Sequence, residues 1–121
     1  MVDDDPGMRQ AMERLLSAAG FCAETFASAE DLLENGKADT AACLILDVNL
    51  PGLSGFDLNQ RLRRAGCQTP AIFITAYDEP EYRTRAQVEC AIDYFVKPFP
   101  AQTLLAAIAR AIDLGNLQTN S

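Results

Sequence analysis

The sequence predicts a doubly wound α/β domain, a parallel sheet with helices packed on both faces. Three observations point to it. Short apolar runs alternate five times with segments of helical periodicity, the pattern of parallel strands joined by crossover helices. The runs end on residues capable of chemistry: Asp3-Asp4-Asp5 follows Val2, Asp47 follows Cys43-Leu44-Ile45-Leu46, Thr75 follows Ala71-Ile72-Phe73-Ile74, and Lys97 follows Tyr94-Phe95-Val96. The length of 121 residues, with 49% hydrophobic and 22% charged, suits one domain around a single core.

Val2 is all that precedes the first acids besides Met1, so the first strand is very short. A central strand of that length implies a start upstream of Met1, or a domain that has lost half of the strand; the upstream start is the expectation. Asp5 is the expected N-cap of the first helix, with Pro6 at its first position, where the missing N–H is harmless. Met8, Ala11, Met12, Leu15, Leu16 and Ala19 recur at helical spacing, and Gly20 closes the helix. Residues 21–26 read as the second strand. Ser28 with Asp31 resembles a capping box ahead of a short helix carried by Leu32 and Leu33, with Gly36 near its end.

The run ending at Leu46 is continuously apolar, as in a strand buried on both faces. Asn49-Leu50-Pro51-Gly52 is a turn signal. Ser54 caps a helix expected to reach about Ala65, with Gly66 ending it. Residues 71–74 form the fourth strand. Residues 80–89 are the weakest helix, since Glu79, Glu81, Arg83, Arg85 and Gln87 leave few apolar anchors. Residues 94–96 are a short fifth strand at an edge. Pro100 opens the last helix, on which Leu104, Leu105, Ile108 and Ile112 make an apolar stripe. The domain is expected to occupy residues 1–114, with 115–121 a frayed tail or the start of a linker.

A net charge of −7 argues against a nucleic-acid surface on this domain, because phosphate contacts need clustered Lys and Arg. No apolar stretch reaches membrane-spanning length, and the acidic N-terminus lacks the pattern of a signal peptide. Cys22, Cys43, Cys67 and Cys90 contain no C-x-x-C pair, and there is no His, which excludes the usual zinc and redox-dithiol patterns. Cys22 and Cys43 lie in apolar runs and read as small buried hydrophobes. Free thiols fit a reducing cytoplasm.

Three acids, a hydroxyl and an amine along one sheet edge would share the crevice where α/β folds bind ligands. They are equipment for a hard divalent cation and a phosphoryl group. Val2-Asp3-Asp4-Asp5-Pro6, Gly20-Phe21 with Phe26-Ala27-Ser28-Ala29, Leu44-Ile45-Leu46-Asp47-Val48-Asn49-Leu50-Pro51-Gly52 with Ser54-Gly55, Ile74-Thr75-Ala76-Tyr77, and Asp93-Tyr94-Phe95-Val96-Lys97-Pro98-Phe99 follow one another at suitable spacing. Together they resemble the receiver domain of two-component response regulators, most of all receivers joined to helix-turn-helix transcription factors.

That resemblance implies a three-layer, five-stranded parallel sheet in the flavodoxin-like order 2-1-3-4-5, with its first strand shortened here. It implies Asp47 as phosphoacceptor, receiving a phosphoryl group from a sensor histidine kinase. It implies Mg2+ held by Asp4 and Asp47 directly, by Asp3 through water, and by the main-chain carbonyl of Asn49. Lys97 would pair with Asp47 or the phosphoryl oxygens, Thr75 would donate its hydroxyl to the phosphoryl group, and Tyr94 would be the aromatic that moves with Thr75. A cis peptide is expected before Pro98. The protein would be a signalling switch with at most slow self-dephosphorylation. Its output would be a C-terminal DNA-binding domain or a separate effector, with a dimer formed on phosphorylation.

Glu89-Cys90 departs from the Ala-Gly that receivers commonly carry there. A cysteine would be strained where glycine takes positive φ, which weakens the carry-over of a dimer on that face. Two other readings compete with this one. An aspartyl phosphatase would place a general acid two residues after the nucleophile, where Asn49 cannot transfer a proton. A degenerate receiver acting only in binding is favoured by the shortened strand and Glu89-Cys90, and opposed by the full set of phosphorylation residues.

Overall fold

The computed structural model describes residues 1–36 and 38–120, with side chains along the last helix as far as residue 114. Three strands, β1 (Leu44–Asp47), β2 (Ala71–Thr75) and β3 (Asp93–Val96), form a parallel sheet in that order. Val2 adds to its edge through single parallel bridges to Leu46 and to Phe26. Phe26, Val2, Leu46, Phe73 and Tyr94 therefore stand in one row across the sheet. This is the order 2-1-3-4-5 expected from the resemblance, with the first two positions reduced to bridged residues.

The expected strand over residues 21–26 is thus confined to Phe26. The hydrogen bonds explain why. Phe26 N–H donates to the Met1 carbonyl (2.8 Å), Asp3 N–H to Phe26 (3.1 Å), Val2 N–H to Ile45 (2.8 Å) and Asp47 N–H to Val2 (2.9 Å). Residues 1–3 are the only described ones that fill this position, so residues 21–25 have almost nothing to pair with. Cys22 is accordingly exposed, where its apolar setting suggested burial, and Cys43 is half-buried.

Five helices connect the strands: α1 (Pro6–Ala18), α2 (Ala29–Asn35), α3 (Gly55–Arg64), α4 (Pro80–Val88) and α5 (Ala101–Asn120), with a 3-10 turn at Ala38–Thr40. The expected caps are in place. Asp5 accepts from Gly7 N–H (2.9 Å), Ser28 from Asp31 N–H (3.1 Å) and Ser54 from Asp57 N–H (3.2 Å). The backbone of residues 115–120 continues α5, where the sequence suggested a frayed tail or the start of a linker; Ser121 lies outside the described residues.

Strand alternation builds two cores. Leu44, Leu46, Ala71 and Phe73 face α2, α3 and α4 through Leu32, Phe56, Leu58, Leu62 and Ala86. Ile45, Ile72 and Ile74 face α1 and α5 through Met12, Leu16, Leu104, Ala107 and Ile108. Helix α4 is the least anchored: Ala86 is its one buried residue and Glu79 gives it no side-chain cap. At its end Cys90 takes φ 57°, the left-handed conformation expected to strain a cysteine.

Candidate functional site: an acidic crevice at the carboxyl ends of the strands

The register Asp47↔Ile74 and Thr75↔Val96 puts Asp47, Thr75 and Lys97 at one edge of the sheet. The Val2–Leu46 bridge brings Asp3 and Asp4 to the same edge. Oxygens of Asp3, Asp4 and Asp47 all lie within 4.8 Å of one another. Asp3 and Asp47 are buried and Asp4 is exposed. Lys97 Nζ donates to Asp3 Oδ2 (2.8 Å) and to Asp47 Oδ2 (3.0 Å). The peptide bond between Lys97 and Pro98 is cis, as the resemblance implied.

Local structure holds each group. Asp3 Oδ1 accepts from Asp5 N–H (3.0 Å), tying the turn into α1, and the Asp3 carbonyl accepts from Arg9 Nη1 (2.7 Å). Asp47 Oδ1 accepts from Asn49 N–H (2.9 Å). Burial raises the pKa of Asp47, the Asn49 N–H and Lys97 oppose that rise, and the Asp3 charge adds to it. Burial would lower the pKa of Lys97, but its hydrogen bonds to Asp3 and Asp47 outweigh burial and raise it. Lys97 thus bridges the two buried carboxyl groups, and burial remains the main influence that disfavours charge on Asp47.

The donor set suits a hard divalent cation. It consists of carboxylate oxygens, the ligands Mg2+ takes in small number while keeping water. Three carboxylates against one ammonium leave two negative charges uncompensated. Asp3 and Asp47 each have both carboxyl oxygens in hydrogen bonds, whereas Asp4 is exposed.

Thr75 is fully buried beside this cluster, but its hydroxyl donates to Asn49 Oδ1 and accepts from Tyr77 N–H (3.1 Å). Tyr94 lies partly exposed at the far end of its row, its hydroxyl donating to the Tyr77 carbonyl (3.3 Å) and its ring 5.0 Å from the Arg83 guanidinium carbon. Two residues around the crevice received no role of their own from the sequence. Gly55, at the start of α3, lies so close to β1 that a Cβ there would sit 2.4 Å from the Asp47 carbonyl oxygen. A glycine directly after an N-cap serine was the available signal. Tyr82 receives a hydrogen bond from Asn49 Nδ2 (3.1 Å); nothing in the polar sequence of α4 announced it.

Comparison with known proteins bears on the family and the fold. The sequence profile of the response regulator receiver domain matches residues 1–109. Nodulation protein W of Bradyrhizobium diazoefficiens is 38% identical over 113 residues, 93% of this chain and 50% of that protein. The transcriptional regulatory protein TdiR of Thauera aromatica is 34% identical over 114 residues, 94% of this chain and 50% of that protein. The chain therefore spans about half the length of these curated relatives. The structure of the response regulator StyR superposes with a TM-score of 0.90 at 37% identity, over 98% of this chain and 60% of that one.

Proposed function

We propose that this chain, which belongs to the response regulator receiver domain family, accepts a phosphoryl group on Asp47 and relays that event to an output domain or separate effector. The observation that supports this most is the buried Asp47 carboxyl group, bonded to Lys97 and to Asn49 N–H and grouped with two further acids whose oxygens lie within 4.8 Å. The donor is a phosphohistidine of a sensor histidine kinase. An Asp47 oxygen attacks phosphorus, an O–P bond forms, the P–N bond to imidazole breaks, and its electron pair returns to the ring. Lys97 offsets charge on the phosphoryl oxygens and Thr75 donates to one of them.

On this reading Asp4, Asp47 and the Asn49 carbonyl would hold Mg2+ directly and Asp3 would act through water. The cation would offset the charge that builds between carboxylate and phosphate. Residues 1–114 are the phosphoacceptor unit and 115–121 lead toward the output, a DNA-binding domain in the manner of transcriptional regulators such as TdiR. The chain is a switch and not a turnover enzyme. Among the described residues no helix is long and apolar enough to cross a membrane.

The test is intact mass after incubation with phosphoramidate and Mg2+. One added phosphate is expected on the native chain and none on Asp47→Asn; full labelling of that variant would falsify the assignment.

A further inference from the structure

We propose that the Asn49 carboxamide is a positioning link that makes the state of the phosphoacceptor crevice felt at α4. It joins three elements. Its backbone N–H is bonded to Asp47 Oδ1, its Oδ1 accepts from Thr75, and its Nδ2 donates to Tyr82 Oη on α4. Among the described residues no hydrogen bond joins Thr75 to Tyr82 directly, and the Asn49 carboxamide connects their two side chains.

The chemistry makes this route two-state. A threonine hydroxyl carries one proton. Thr75 donates it to Asn49 here; on the proposed reading, the phosphoryl group on Asp47 claims it. Both bonds cannot exist together. A carboxamide is a rigid plane, so Asn49 released at Oδ1 turns and carries Nδ2 away from Tyr82. Tyr82 matters to α4 because that helix buries only Ala86 and lacks a side-chain cap. The Tyr82 ring packs edge-on to Phe56, with centroids 6.0 Å apart, and its hydroxyl is the polar end of that anchor. This path differs from the one assigned to Tyr94, whose hydroxyl is held by the Tyr77 carbonyl.

The inference rests on Asp47 accepting phosphate, and the test has one arm that does not. In the unphosphorylated protein, hydrogen exchange over residues 79–90 is measured for Tyr82→Phe, Thr75→Val and the double variant. Tyr82→Phe keeps the ring and should exchange about fivefold faster, the effect of one neutral hydrogen bond. The double variant should be no faster than the worse single one, because both break one link. Additive effects overturn the proposal whether or not Asp47 takes phosphate. In the second arm, Tyr82→Phe should gain one phosphate from phosphoramidate as the native chain does, yet show no further change in exchange over residues 79–90. A native-size response in that variant also overturns the link. Absence of phosphate on the native chain would instead count against the functional reading, and the first arm would still decide the link.

Discussion

Gly55 shows how one missing methyl shapes the crevice. The start of α3 presses against the backbone that carries Asp47, and a Cβ at 2.4 Å from the Asp47 carbonyl oxygen has no room without backbone movement. Gly55→Ala should therefore destabilise the fold by about 1–3 kcal/mol, the usual cost of overpacking a well-packed site. A urea titration reads this as a lower midpoint, and an unchanged midpoint would show that α3 can shift freely. The same substitution should slow phosphate uptake, because the displaced segment carries Asp47 with it. Glycine here works through close approach, whereas at Gly36 it works through a positive φ of 71° at the end of α2.

The element with a visible weakness is the junction of α4 with β3. Cys90 holds φ 57° with its side chain exposed, so it carries left-handed strain and little packing. Cys90→Gly should stabilise the domain by about 1 kcal/mol, ~4 °C in melting temperature for this size, while Cys90→Ala should change little. Equal melting temperatures for glycine and alanine would remove the strain argument. The other weak element is the bridge made by Val2. Beyond it lies a cavity of about 280 Å³ lined by Leu16, Phe21, Ala23, Cys43, Ile108 and Ile112 among others.

Met1 and Glu24 also line that cavity; the Met1 ammonium donates to the Glu24 carbonyl at 2.8 Å, and burial lowers its pKa from 8.0 to about 6. Between those values the unfolded chain binds more protons than the folded one, so stability should rise as pH goes from about 6 to about 8. Burial also raises the Cys43 thiol from 9.0 to about 12, which should make stability fall again above pH 9. Nα-acetylation of this chain should abolish the rise and leave the fall. Persistence of the rise after acetylation would mean other groups carry it.

At the scale of the whole molecule the sheet gathers charges that repel. Asp3, Asp4 and Asp47 come from two separate segments, and Lys97 offsets only part of their charge. A cation that binds the folded form alone adds stability by mass action, about 1.4 kcal/mol at ten times its dissociation constant. Millimolar Mg2+ should raise the melting temperature, and Asp4→Ala should remove most of the gain. Shifts of equal size in both proteins would point to general screening of a chain of net charge −7.

Much of this was legible in one dimension because local rules decided it. Asp5, Ser28 and Ser54 cap their helices because a short polar side chain before a periodic segment meets the free N–H groups of the first turn. The apolar runs at Leu44–Asp47 and Ala71–Thr75 became buried strands because no polar face interrupts them. Their alternation places Asp47, Thr75 and Lys97 on one edge once the strands run parallel. Tertiary structure decided the rest. Residues 21–26 have strand character, yet a strand needs a paired neighbour, and only Phe26 forms a bridge. Thr75 could be placed beside Asp47 from its position, but its single proton goes to Asn49, and Asn49 reaches Tyr82 thirty-three residues along the chain. Pattern determines which face a residue occupies; which distant atom its hydrogen bond finds is settled only when helices and sheet close around it.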